Sequence, residues 1–154
     1  MNNTKTILTG TFGVGKTSLF KRLINDDFED KYITTIGVKV GKKEIEGQTH
    51  TIWDIAGEVT QEKIPPTYFL NAHRIFYVID LSRPNTFGSI DSDLDFLKKH
   101  YAQSDLCIIG NKLDLLEHDQ LLQTRLGMIP TECQILTSAK NGDGIEALAK
   151  MLIK

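Results

Sequence analysis

Nine consecutive residues, Gly10-Thr11-Phe12-Gly13-Val14-Gly15-Lys16-Thr17-Ser18, restrict what this chain can fold into more than any other feature. They fill the pattern GxxxxGK[ST], follow a β-type run at residues 4–9, and lead into the helical stretch SLFKRLI. A strand, a glycine-rich turn and a helix in that order begin an α/β fold. The turn is expected to cradle phosphate. Gly10 and Gly15 allow the backbone to close around phosphate oxygens, and the amides of the first helical turn point at the anion with the helix dipole behind them. Gly13, Val14, Gly15, Lys16, Thr17 and Ser18 are therefore the candidate phosphate-binding residues, Lys16 adding a mobile positive charge. Thr17 can offer its hydroxyl to a magnesium ion, which prefers oxygen ligands. Chance alone supplies the pattern in roughly one chain of this length in two hundred.

The remainder continues the alternation of short β-type runs and longer helical patterns. Strands are predicted at residues 4–9, 38–45, 50–55, 74–80, 105–109 and 134–137, and helices near 16–25, 61–70, 89–101, 120–126 and 145–153. Only Glu46-Gly47-Gln48-Thr49 separates the second strand from the third, which demands an antiparallel hairpin; helix-length segments separate the others. The expected fold is α/β, a six-stranded mixed sheet with its second strand antiparallel and helices on both faces. With 154 residues, 40% of them hydrophobic, the chain suits one domain over residues 1–154. Charged residues make up 25% and nearly cancel, leaving a net −2, so nucleic acid is not an expected partner and any phosphate binding must be local.

Two further motifs follow predicted strands, at the carboxyl edge where open α/β sheets bind ligands. In Asn111-Lys112-Leu113-Asp114, the Asp114 carboxylate can accept from the N1–H and 2-amino group of guanine; adenine offers neither and would leave the acid unpaired. The apolar stem of Lys112 can cover one face of the base. In Thr137-Ser138-Ala139-Lys140 a backbone N–H can meet guanine O6, and Lys140 offers a second stem. Asn111, Lys112, Asp114, Ser138, Ala139 and Lys140 are thus the candidate base-binding residues. Between these motifs and the phosphate loop, Asp54 ends a half-buried strand and is expected to approach magnesium through a water. Gly57 follows, its N–H free to meet a γ-phosphate because no side chain obstructs it. Residues 32–37, beside the acidic Asp26-Asp27-Phe28-Glu29-Asp30, are predicted to form a mobile loop.

In order and spacing, the phosphate loop, TTIG, WDIAG, NKLD and TSAK resemble the Ras superfamily of small GTPases, nearest to its Rab branch, over almost the whole chain. The resemblance implies the P-loop G-domain fold and a magnesium-dependent GTP/GDP switch that hydrolyses GTP to GDP and phosphate. By it, Thr35 coordinates magnesium only when the γ-phosphate is present, Phe28 packs edge-on against guanine, and Tyr32 closes over the phosphates. The contacts of Thr35 and Gly57 are lost with the diphosphate, so residues 28–41 and 56–70 would be the loops that effectors and regulators read. Lys16, Gly57 and Glu58 occupy the hydrolytic centre. Two residues depart from the family. Glu58 stands where a water-orienting glutamine is usual, and a carboxylate cannot donate to the transferring oxygens. Phe12 stands where glycine or another small residue is usual, beside the approach of an arginine supplied by a partner. Slow hydrolysis follows, without ordinary activation by an arginine in trans.

Cys107 and Cys133 sit in apolar runs and read as reduced core residues. His50, His73, His100 and His118 lack metal-ligand spacing and are expected on the surface. Asp91, Asp93 and Asp95 lack the glycine and terminal glutamate of an EF-hand and suit a helix start. Leu94, Leu97 and Tyr101, like Leu148, Met151 and Leu152, read as core faces. No window nears the ~18 apolar residues of a membrane span, and neither a signal pattern, a myristoylation glycine nor a CaaX box is present. The expectation is a cytoplasmic monomer with no membrane anchor visible in this chain, any attachment to a membrane coming either from a partner or from a tail outside this sequence. Two alternatives stand beside the switch: a scaffold that holds GTP with negligible hydrolysis, and a P-loop kinase, in which NKLD and TSAK would have no role.

Overall fold

The run Thr6-Ile7-Leu8-Thr9 is buried on both faces, as a central parallel strand must be, and it forms the middle of the sheet. The computed structural model describes residues 3–24, 31–33 (backbone only), 37–55, 61–131 and 134–153. Its strands are β1 (Thr4–Gly10), β2 (Lys31–Ile33), β3 (Val38–Ile45), β4 (Gln48–Ile55), β5 (Arg74–Asp80), β6 (Asp105–Asn111) and β7 (Gln134–Leu136). They lie in one sheet in the order β2-β3-β4-β1-β5-β6-β7. Strands β4, β1, β5, β6 and β7 are mutually parallel, whereas β3 is antiparallel to β4. All six predicted strands are present. The addition is β2, which pairs antiparallel with the edge of β3 inside the segment expected to be a loop. Three residues carry no usable alternation; they pair because β3 offers them an open edge.

The hairpin between β3 and β4 turns on Glu46 and Gly47, with φ of 53° and 78°. Two positive φ values are what a two-residue I′ turn requires, and its twist matches the strands it joins. Helix α1 (Lys16–Ile24) buries Leu19, Phe20 and Leu23 against Leu8, Ile52 and Phe76, together with Leu148 of α4 (Ile145–Met151). Helix α2 (Ile90–His100) buries Ile90, Leu94 and Leu97 on the opposite face against Ile7, Ile75 and Tyr77, where α3 (Asp119–Leu126) adds Leu122 and Leu126. Helices therefore cover both faces. Asp91 and Asp93 occupy the first turn of α2, and Asp93 accepts the Tyr77 hydroxyl at 2.5 Å. None of the described helices is long and apolar enough to cross a membrane.

Two expectations are corrected. Residues 61–70 do not form one helix but two 3₁₀ turns, Gln61–Lys63 and Pro66–Phe69. Pro65 and Pro66 lack N–H donors, and a residue before proline is pushed out of helical geometry, so an α-helix cannot run through Ile64-Pro65-Pro66. His50 is not on the surface: it is fully buried on the face of β4 that carries Ile52, its Nδ1 2.6 Å from Thr4 Oγ1. Because helices cover both faces of the sheet, alternation does not turn a polar residue to solvent. The other three histidines are exposed, Cys107 is buried, and Cys133 lies outside the described residues.

The topology sets the place of the site. Strands β4 and β3 lie on one side of β1, while β5, β6 and β7 extend on the other, so the strand order reverses beside β1. The crevice above the carboxyl end of β1 is the switch point at which such sheets take ligands.

Candidate functional site

Residues 11–15 turn over the start of α1 at that crevice. Gly15 has φ of 97°, and a Cβ on it would stand 2.3 Å from Asn111 Nδ2, so glycine alone lets the loop lie this close to β6. Lys16 is buried and its ammonium donates to the carbonyls of Gly10 (3.3 Å) and Thr11 (2.9 Å). Burial lowers its pKa to about 8, a shift that the nearby Asp54 only partly opposes. An anion placed before it would favour the charged form and raise the pKa again.

Asp54 stands beside β1 because β4 pairs with it in the register Leu8↔Asp54. Its Oδ2 accepts the Thr17 hydroxyl at 2.8 Å, while Oδ1 is buried with no hydrogen-bond partner among the described residues. Burial raises the Asp54 pKa, against the help of Thr17, Lys16 and Lys39. An orphaned carboxylate oxygen beside a hydroxyl is an oxygen-donor set that suits a small hard cation such as magnesium.

Two cavities meet at this edge. One of about 420 Å³ is lined by Phe12, Gly13, Lys16, Thr17 and Asp54. The other, of about 450 Å³, is lined by Asn111, Asp114, Leu115, Ala139 and Lys140. Gly15, Ser18 and Lys112 border both, so the phosphate loop and the two downstream motifs surround one continuous cleft.

Asn111 is 1% exposed and works as a strut. Its Nδ2 donates to the Val14 carbonyl at 2.9 Å; its Oδ1 accepts from Thr137 Oγ1 at 3.0 Å and from the Ala139 N–H at 3.2 Å. One side chain thus ties together the three loops, and buried Val14 is joined to it through its carbonyl. Ser138 donates to Asp114 Oδ1 at 2.7 Å and accepts the Asn141 N–H at 3.0 Å, fixing the Asp114 carboxylate at the cavity wall. Lys112 has φ of 64°, a left-handed backbone that costs about 1–2 kcal/mol outside glycine. Its ammonium is anchored 3.1 Å from Asp80, which leaves the stem along the cleft.

Sequence reasoning missed the supports. Arg22 of α1 donates to the carbonyls of Ala139 and Lys140, each at 2.7 Å, and so pins the base-side loop to the phosphate-side helix. Asp80 ends β5 at the same edge as Asp54, a position that could have marked it. Gln61, 2% exposed, accepts the Thr9 hydroxyl at 3.0 Å beneath the phosphate loop. Phe12 is 67% exposed at the rim of the phosphate-side cavity. Phe28, Thr35, Gly57, Glu58 and the side chain of Tyr32 lie outside the described residues.

Comparison with known proteins agrees with this geometry. The model of the Ras family matches residues 5–154. The chain is 30% identical to the Ras-related protein Rab-18 of Lymnaea stagnalis over 158 aligned residues, covering 97% of this chain and 78% of the relative. It is 36% identical to the GTP-binding protein YPTM1 of Zea mays over 120 residues, 74% of this chain and 57% of the relative. The GTP-binding protein ypt1 of Schizosaccharomyces pombe is 33% identical over 118 residues, 73% of this chain and 58% of the relative. The chain belongs to the Ras family. It is a divergent small GTPase of the Ras and Rab type, a GTP-binding protein with the G-domain fold.

Proposed function

We propose that residues 1–154 form one G domain that works as a magnesium-dependent GTP/GDP switch with slow hydrolysis, a cytoplasmic monomer reaching membranes through partners. One observation carries the reading: the cavity beside Lys16 and Asp54 and the cavity beside Asp114 share Gly15, Ser18 and Lys112. Phosphates held by Gly13, Gly15, Lys16, Thr17 and Ser18 then lead along the cleft to a base between the stems of Lys112 and Lys140. Asp114 and the Ala139 N–H read the guanine edge, braced by Ser138, Val14 and Asn111. Phe28 and Tyr32 close over the nucleotide.

Thr17, Thr35 and, through a water, Asp54 are the residues that would hold magnesium, whose charge offsets that of the outer phosphates. Thr35 and Gly57 meet the triphosphate and lose it after hydrolysis, so the free energy of switching resides in those contacts. Residues 28–41 and 56–70 carry the change to effectors and regulators. Lys16, Gly57 and Glu58 form the hydrolytic centre. Glu58 accepts from water but cannot donate to the transferring oxygens, and Phe12 crowds the approach of a partner's arginine; both keep turnover slow. A scaffold that holds GTP unhydrolysed is the second reading, favoured by the exposed Phe12 at the phosphate rim.

Competition against a fluorescent GDP tests the binding reading. GTP should displace it and ATP should be weaker by about a hundredfold or more, because Asp114 meets no donor on adenine. Chelating magnesium should speed release. Equal competition by ATP would remove the guanine assignment.

A further inference from the structure

Behind the phosphate cavity lies a charged assembly built on Asp80, of which Lys112 reaches the lining while Asp80, Ser82 and Arg83 do not. This residue is fully buried, and its Oδ1 accepts the Ser82 N–H at 2.9 Å and the Ser82 hydroxyl at 2.5 Å. Its Oδ2 takes Arg83 Nε at 2.8 Å and Lys112 Nζ at 3.1 Å. All four acceptor sites of the carboxylate are in use. Burial works against ionisation of Asp80, but these bonds outweigh it and hold the carboxyl below its ordinary range.

The guanidinium held in this way reaches the phosphate loop from outside. Arg83 Nη2 donates to the Phe12 carbonyl at 3.3 Å and lies 3.1 Å from where a Cβ on Gly13 would stand. A larger residue than glycine at position 13 would press on the arginine. Pro84 follows and disfavours helical backbone at Arg83, which stands outside the helical region with φ −125° and ψ 78°. Phe12 and Gly13 line the phosphate-side cavity; Arg83 does not. In a trans peptide the C=O and the next N–H point to opposite sides. A donor that fixes the Phe12 carbonyl on the outer side therefore turns the Gly13 N–H inward. A charged donor also polarises the peptide, making that N–H a better donor in turn.

We propose that Arg83, anchored by Asp80, is a positioning residue for the phosphate loop: it orients the Phe12–Gly13 peptide so that its N–H faces the outer phosphates, and so sets how long a nucleotide is retained. This rests on the nucleotide-binding reading of the cleft. Arg83 touches no substrate and acts through the loop backbone. Because Lys112 shares the same carboxylate, the phosphate-side and base-side loops depend on one buried anion.

The test is phosphorus NMR of the magnesium–GDP complex of wild type, Arg83→Ala and Arg83→Lys, beside the GDP release rate. Arg83→Ala should move the β-phosphorus resonance and speed release by roughly three- to tenfold, the effect of one hydrogen bond to a charged group acting at second hand. Arg83→Lys keeps a cationic donor without the fork and should recover part of both effects. A wild type that shows no bound GDP resonances would overturn the nucleotide reading itself. If wild type binds GDP and Arg83→Ala releases it faster with the β resonance unmoved, or leaves both unchanged, the positioning role is overturned.

Discussion

Replacing Asn111 by alanine removes a side chain that bonds across all three ligand loops. Three hydrogen bonds go with it, at 2.9, 3.0 and 3.2 Å, from a residue that is 1% exposed. At about 1 kcal/mol net each they amount to about 3 kcal/mol. The Val14 carbonyl, the Ala139 N–H and the buried Thr137 hydroxyl are then left without this partner, adding about 1 kcal/mol. The total is about 4 kcal/mol. The loops lie at the sheet edge, where they can part and admit water, so the loss divides between fold stability and ligand affinity. An even division gives about 2 kcal/mol in unfolding and about thirtyfold in nucleotide affinity. Urea unfolding of the nucleotide-free protein reads the first part and GDP titration the second. Asn111→Asp, which keeps the two accepted bonds but sets an acceptor against the Val14 carbonyl, should spare the Thr137 and Ala139 ties and still weaken GDP. An alanine variant with unchanged urea midpoint and unchanged GDP affinity would refute the strut.

Three further outcomes are expected. Lys16, at about 8 in the free protein, must be charged to hold phosphate, so binding takes up a proton above that pH; nucleotide affinity should be flat below pH 8 and fall about tenfold for each unit above it, a profile absent from Lys16→Met. Asp114→Asn should lose guanine affinity and gain tolerance of xanthine, because an amide can present a donor where the carboxylate offers only acceptors; competition by xanthosine diphosphate measures it. Thr9→Val keeps volume but strands the buried Gln61 carbonyl oxygen, and should lower stability by about 1–3 kcal/mol in urea, where no loss would show that the bond contributes nothing.

What was legible in the sequence is what consecutive residues build by themselves. The phosphate loop is made of neighbours in the chain, and Gly15 and Lys16 announce its chemistry without any knowledge of the rest. The hairpin at Glu46-Gly47 was legible for the same reason. Arg83 and Asp80 were not, because their meaning depends on β5 lying beside β1, a pairing that no local pattern encodes. His50 looked like a surface residue because it sits in an alternating strand, and only the cover of α1 and α4 on that face makes its burial intelligible. Pro65-Pro66 was a local signal against a helix over residues 61–70, and apolar periodicity concealed it. Phe28, Tyr32, Thr35 and Glu58 rest on the family pattern alone.

Trp53 is the single tryptophan, one residue before Asp54, with Lys5 Nζ 3.9 Å above its ring and Tyr68 at 5.8 Å. Its fluorescence therefore reports on the region between the two nucleotide-sensing segments. The decisive measurement is that signal recorded on protein preloaded with GTP and magnesium, while chromatography follows the conversion of bound GTP to GDP in wild type, Glu58→Gln and Phe12→Gly. A switch predicts slow conversion in wild type, a fluorescence change at the same rate, and an altered rate in at least one variant. GTP that stays intact for many hours, with identical spectra for the GTP and GDP forms, would contradict the switch and leave a GTP-holding scaffold.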